Sequence, residues 1–247
     1  MTIIKTYPNL EVLSAAAAEL FAEKSCQAVE KKGRCNVVLA GGETPRRTYE
    51  LLAEKPYCHT IPWQNVHFYW SDERCVPSDN SLSNQNMARQ SLLDHVPIPE
   101  ANIHPIVYEN SPSMAAEEYE KILQSTFKKH TPQFDVVFLG LGDNGHTASL
   151  FPGTDALIIR DHWVRPVYVA EQQLYRVTLT PPILNQAASV IFLVTGSTKA
   201  HVIKEVIEGP RESIRLPAQS IQPVHGELYW LLDHEAAALL NLETKYL

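Results

Sequence analysis

Two hydrophobic rhythms alternate along this chain. Short runs that are apolar at nearly every position are separated by longer segments whose apolar residues return every three or four positions. The short runs read as strands buried on both faces: residues 36–40 (NVVLA), 66–70 (VHFYW), 134–140 (FDVVFLG), 189–194 (SVIFLV) and 227–233 (ELYWLLD). Residues 163–169 and 175–180 add two strands whose spacing suits a hairpin, and 103–107 a short one. The first helix is expected over 9–32, where Asn9 caps, SAAAAELFAEK favours helix and Gly33 stops it. Thr44 as N-cap and Pro45 at the first helical position predict a second, running to about Ala53. Further helices are expected over 84–95, over 113–129 with an amphipathic pattern, and briefly after Pro181-Pro182. One more ends at Gly209-Pro210, and the last covers HEAAALL (234–240). Residues 71–83 read as a polar loop.

Strands alternating with helices imply an open, mostly parallel α/β sheet with helices on both faces. No repeat or low-complexity linker divides the chain, so one domain is expected over 1–247. Ligands in such sheets bind beyond the carboxyl ends of the strands. The loops at 41–45, 71–83, 140–147 and 195–199 lie there.

Composition narrows the partners. Apolar residues make up 45% of the chain, enough for a full core, and aromatics 9%. Twenty-one basic against 28 acidic residues give a net charge of −7, which argues against a nucleic-acid partner. An anionic substrate would have to be drawn by local cations rather than by the field of the whole molecule. No run approaches a membrane span, and the N-terminus lacks the apolar core of a secretory signal. The four cysteines form no CxxC pair; free thiols and a cytoplasmic location are expected. Cys75, beside Arg74, is the candidate for a lowered thiol pKa. The sequence leaves oligomeric state open.

Four loops carry candidate chemistry. In AGGETPRR (40–47), Gly41 and Gly42 permit close backbone approach, and the following helix start presents free N–H groups to an anion. Arg46 and Arg47 oppose the helix dipole there, a cost an arriving phosphate would relieve, whereas Glu43 compensates the dipole unaided. In SDERCVP (71–77), strand alternation cannot aim Asp72, Glu73 and Arg74 the same way; Arg74 is the expected planar anion donor. In GLGDNGHTASLFPG (140–153), Gly140, Gly142 and Gly145 match a dinucleotide fingerprint. Pro152-Gly153 leaves no room for the long helix such a site needs, and Asp161 precedes a strand instead of ending one. What remains is a glycine-rich loop presenting His146 as a general base. In TGSTKA (195–200), Lys199 is a second phosphate cation without the spacing of a nucleotide-triphosphate loop. No HExxH or paired-His pattern occurs, so no metal is expected.

Together AGGETP, SDERCVP with SLSNQNMA, FLGLGDNGHTASLFPG, RVTLT, TGSTKA and LPAQSIQP, in this order over residues 9 to 235, resemble the 6-phosphogluconolactonases. GHTASLFPG is the most specific block. The resemblance implies a modified Rossmann-like fold, shared with the glucosamine-6-phosphate deaminases, and a sugar-phosphate substrate without cofactor or metal. It implies that the Gly42–Thr44 turn, Arg74 and Lys199 hold the 6-phosphate and that His146 activates water for attack on the lactone C1. Gly41, Asp72, Gly145 and Arg176 are further candidate substrate contacts, and the oxyanion donors are expected among N–H groups of a neighbouring loop.

The chain departs from the family pattern twice. Asn144 stands where Asp is usual, so it can orient the His146 ring but cannot stabilise its charged form. Glu43 stands where Ser or Thr is common and must turn away from a phosphate, toward Arg46 or Arg47. Three other functions are open to such a chain: a sugar-phosphate binder with impaired turnover, motivated by Asn144; a deaminase-like isomerase, opposed by SLFPG where that family carries Asn-Glu-Pro; and an NAD(P)-dependent dehydrogenase.

Overall fold

The computed structural model describes residues 1–109, 111–127 and 132–241. In chain order the strands and helices are β1 (Thr2–Tyr7), α1 (Leu10–Lys32), β2 (Cys35–Leu39), α2 (Glu43–Leu52), α3 (Tyr57–Thr60), β3 (Val66–Trp70), β4 (Asp72–Arg74) and α4 (Asn84–Ser91). There follow α5 (Pro112–Phe127), β5 (Val136–Leu139), β6 (Val164–Val169), β7 (Leu174–Leu179), α6 (Pro181–Leu184), β8 (Ser189–Val194), α7 (Ala200–Glu208) and β9 (Glu227–Asp233). Six strands form a sheet in the order β1-β9-β8-β5-β2-β3, every pair parallel. Three form an antiparallel sheet, β4-β7-β6.

The apolar runs explain the large sheet. Every residue of β2, β5 and β8 is buried, as strands covered on both faces require. Phe21 of α1 meets Phe68, Phe138 and Trp63 at ring-centroid separations of 5.7–6.3 Å. Helix α1 starts where Asn9 accepts the Val12 N–H and ends at Gly33, whose φ of 76° only glycine adopts without strain. From β2 the chain goes outward to β3 and then returns to β5 on the other side. The crevice between β2 and β5 is therefore the topological switch point, where a ligand is expected.

Several expectations need correction. Strand β1 escaped the pattern because it is a sheet edge with only Ile4 buried. Strand β4 was read as loop because its three residues are all charged. Helix α2 begins two residues early: Gly42 is the N-cap and Thr44 lies inside the helix. Helix α4 stops at Ser91, and a separate 3₁₀ turn covers Leu93–His95. Residues 103–107 form one bridge, Phe68 with Ile103, and no strand. Residues 234–240 make turns begun by Asp233, whose carboxylate accepts the Ala236 N–H. Residues 128 and 129 of the helix expected over 113–129 lie outside the described residues.

Candidate active site

A cavity of about 270 Å³ opens at the carboxyl ends of β2, β3, β5 and β8. Its walls include Gly41, Gly42, Thr44, Asp72, Arg74, Asn84, Gly142, His146, Ala148, Arg176 and Lys199. One wall is the turn from β2 into α2. A Cβ on Gly41 would fall 2.0 Å from Asn84 Oδ1, and Gly42 has a φ of 104°, so both positions require glycine. No side chain caps α2, which leaves its first N–H groups open to an anion. Thr44 Oγ1 lies 2.8 Å from Thr195 Oγ1, tying this turn to the end of β8.

The antiparallel sheet supplies the opposite wall. In β4, alternation aims Asp72 and Arg74 at the cavity, while Glu73 turns away. Glu73 is buried and accepts from the backbone of Arg74, Asn84 and Gln85 and from Ser83 Oγ at 2.7–3.0 Å, anchoring the start of α4. Burial nonetheless pushes its carboxyl pKa up. Arg74 stands directly opposite Arg176 of β7 in the ladder. Like charges so placed destabilise a sheet, and both line the cavity, so a bound anion would relieve the repulsion. Arg176 is 6% exposed, and burial lowers its pKa. Its Nη1 reaches Ser149 Oγ (3.3 Å) and Asp72 Oδ2 (3.6 Å), and its Nη2 donates to Gln172 Oε1 (2.5 Å). Arg74 donates to the Leu82 carbonyl, and its buried Nε has no partner among the described residues.

His146 faces this cationic wall from the glycine-rich loop. Its Nδ1 is 2.6 Å from Asn144 Oδ1; because a side-chain carbonyl only accepts, Nδ1 carries the proton and Nε2 is the basic nitrogen. The ring stacks on Phe151 at 4.2 Å. A Cβ on Gly142 would lie 2.0 Å from the imidazole, so glycine there makes room for it. Burial pushes the His146 pKa down to about 4; Arg176 and Lys199 also lower it, against the opposing carboxylates of Asp72 and Asp143. His146 is thus neutral, and able to accept a proton, near pH 7.

The predicted residues fall into two groups. Gly41, Gly42, Thr44, Asp72, Arg74, His146, Arg176 and Lys199 all line the cavity. Asn144 does not; it acts on the far side of His146, as a positioning residue. Gly145 also lies outside the cavity lining: it packs on Leu216, where a Cβ would come 2.7 Å from Leu216 Cδ2, and its φ of 78° turns the loop. Lys199 Nζ bonds Asp143 Oδ1 at 2.5 Å, with the carboxylate end largely exposed and the lysine end mostly covered. Arg46 and Arg47 stay outside the cavity, matched by Glu50 and Glu11, and the Glu43 side chain is 87% exposed, 3.8 Å from Arg46. Cys75 is no activated thiol; burial pushes it up to about 11, with Glu73 adding to the rise. Asn84 was missed, although SLSNQNMA contains it: it is buried, and its Nδ2 donates to the Asp72 carbonyl at 2.9 Å. Among the described residues no cluster of three or more His, Cys, Asp or Glu could hold a metal, and no helix is long and apolar enough to cross a membrane.

Comparison with known proteins gives the family and the fold. The family model described as glucosamine-6-phosphate isomerases/6-phosphogluconolactonase matches residues 8–230. The 6-phosphogluconolactonase of Synechocystis is 41% identical over 94% of this chain and 96% of its own length, and that of Rattus norvegicus 37% identical over 97% and 94%. The structure of 6-phosphogluconolactonase from Trypanosoma brucei superposes with a TM-score of 0.87 at 31% identity, covering 98% of this chain and 99% of that one. A monomeric glucosamine-6-phosphate deaminase, 23% identical over 96% of this chain and 99% of its own, shares the fold with a TM-score of 0.80. The chain belongs to the glucosamine-6-phosphate isomerase/6-phosphogluconolactonase family.

Proposed function

We propose that this protein hydrolyses 6-phospho-D-glucono-1,5-lactone to 6-phospho-D-gluconate, the lactone-opening step of the oxidative pentose phosphate pathway. The observation that carries the reading is the 2.6 Å contact between His146 Nδ1 and Asn144 Oδ1, which assigns the proton to Nδ1 and leaves Nε2 basic in a cavity lined by three cations. The 6-phosphate lies between the α2 N-terminus, Arg74 and Lys199, and Asp72 and Arg176 meet the sugar oxygens. His146 Nε2 takes a proton from water as the water oxygen attacks C1, and the carbonyl π pair moves onto the carbonyl oxygen. When the tetrahedral intermediate collapses, the bond from C1 to the ring oxygen breaks. The imidazolium returns its proton to that oxygen, leaving a carboxylic acid that ionises.

Phosphate binding also strengthens the base. The Arg176 and Lys199 charges that depress the His146 pKa are neutralised by the dianion, so the imidazole accepts a proton more readily once substrate is bound. We place the activity in the cytoplasm, a reading supported by four unpaired thiols.

The test is hydrolysis of freshly generated 6-phosphogluconolactone, followed above its spontaneous rate, with ammonia release from glucosamine 6-phosphate assayed in parallel. Lactone turnover without ammonia is expected. Ammonia release alone would transfer the site to deamination. Tight binding of 6-phosphogluconate with neither reaction would leave a sugar-phosphate binder.

A further inference from the structure

Two non-glycine residues among those described have a left-handed backbone, Gln173 at φ 50° and Ala148 at φ 49°. Gln173 sits in the hairpin between β6 and β7, and its N–H donates to the Ala170 carbonyl at 3.2 Å. A turn of that kind accounts for its conformation. Ala148 is different. It lies two residues after His146, it lines the cavity, and its N–H donates to no described residue.

The neighbours of Ala148 hold it in place. Thr147 and Ser149 are both buried. Thr147 Oγ1 donates to the Gly140 carbonyl at 2.8 Å, and the Thr147 carbonyl accepts the Leu150 N–H at 2.9 Å. Ser149 N–H donates to Thr178 Oγ1 at 3.2 Å, and its hydroxyl to Asp72 Oδ2 at 2.6 Å. Four partners, Gly140, Leu150, Thr178 and Asp72, thus hold the residues on either side of Ala148 in a conformation that an alanine does not choose. Strain that its surroundings over-determine is a mark of functional sites, where it pre-sets a group for the reaction.

We propose that the Ala148 backbone N–H is an oxyanion donor for the tetrahedral intermediate, held free of any acceptor among the described residues by its left-handed conformation. The inference rests on the lactone hydrolysis proposed above. Charge develops on the carbonyl oxygen as hydroxide attacks C1, and a pre-aimed N–H stabilises that charge without reorganising. Arg176 is a poorer candidate for this role because Asp72, Ser149 and Gln172 already engage its guanidinium.

The decisive experiment replaces the amide by an ester. Ala148→lactic acid, introduced by suppression with the α-hydroxy acid, removes the N–H and keeps the side chain. Since that N–H has no acceptor among the described residues, Tm should hold, apart from a small loss from the weaker Thr147 carbonyl. We expect kcat to fall on the order of 100- to 1000-fold. KM should stay within about threefold, because the lost bond exists only in the transition state. The α-hydroxy acid analogue of glutamine at position 173 is the control: it keeps the side chain and removes an N–H that is bonded within the hairpin, so Tm should drop and kcat hold. A kcat for the 148 ester within about threefold of the parent overturns the proposal. So does a kcat loss accompanied by weakened binding of 6-phosphogluconate, which would report a collapsed loop. A parent enzyme that does not hydrolyse the lactone at all overturns the functional reading itself, and this inference with it.

Discussion

His146 and His67 have the same acid–base signature and opposite meanings. Burial pushes each down to about 4. His67 lies on the edge strand β3, with its Nδ1 3.3 Å from His104 Nε2, and the guanidinium of Arg34 adds to the fall. Its ring stacks on His104, which stacks in turn on Tyr69. His146 spends Nδ1 on Asn144 and keeps Nε2 basic beside Arg74, Arg176 and Lys199. A depressed pKa therefore does not identify a base; what the second nitrogen faces does.

The comparison breaks most sharply under mutation. His146→Ala should lower turnover by roughly 100- to 10,000-fold, the usual contribution of a positioned base, with little change in Tm because the half-buried ring is not core. His67→Phe should leave lactone turnover unchanged, measured in the same assay. Loss of activity in the second variant would tie the edge histidines to the chemistry.

A smaller effect is expected at the phosphate. Arg74→Ala removes a charge-assisted bond worth about 1.5–3 kcal/mol, so KM should rise on the order of 10- to 100-fold with kcat largely kept. The unliganded protein should lose no stability through charge, because Arg176 is relieved of the like charge directly opposite. Paired KM and Tm measurements check both halves. A variant with lower Tm and unchanged KM would reassign Arg74 to the scaffold.

How much of this was legible beforehand follows from where the information lies. The strands β2, β3, β5, β8 and β9 were plain because continuous apolar runs announce burial on both faces. Strands β1 and β4 were not, one being a half-exposed edge and the other polar because it lines the site. His146, Lys199 and Arg74 were visible as charges in loops at strand ends. The pairing of Arg74 with Arg176, and of Lys199 with Asp143, was not, because register and loop packing join residues that are distant in the chain. The packing of Gly145 on Leu216 was equally hidden, because a glycine's local pattern does not say which distant side chain it makes room for.

The family departure at Asn144 gives a gain-of-function prediction. Asn144 orients the ring but carries no charge to stabilise the imidazolium. In serine-protease triads the change from Asp to Asn costs about 10⁴ in kcat; a lactone is an activated ester, so the reverse change should raise kcat here by only about tenfold. Asn144→Asp should also raise the His146 pKa and move the acid limb of the pH–rate profile upward from near pH 4. The substrate phosphate, with a pKa of about 6, titrates in the same profile, so the difference between parent and variant, run on one substrate, isolates the enzyme's shift. An unmoved limb would mean that His146 is not the titrating base.

The smallest effect belongs to the edge pair and appears in stability. The unfolded chain titrates His67 near pH 6.5 and the folded protein near 4, and His104 is shifted in the same direction. Between those values the unfolded state binds more protons than the folded one, so stability rises with pH across the window, is complete above 6.5 and is lost as pH falls toward 4. His67→Phe keeps an aromatic ring against His104 and removes a proton uptake, so the decline of Tm from pH 6.5 to 4 should flatten by up to about one proton's worth of slope. His146→Ala should flatten it as well, because that shift also comes mainly from burial. Activity separates the two: both variants resist acid better than the parent, and only the one at the edge still opens the lactone.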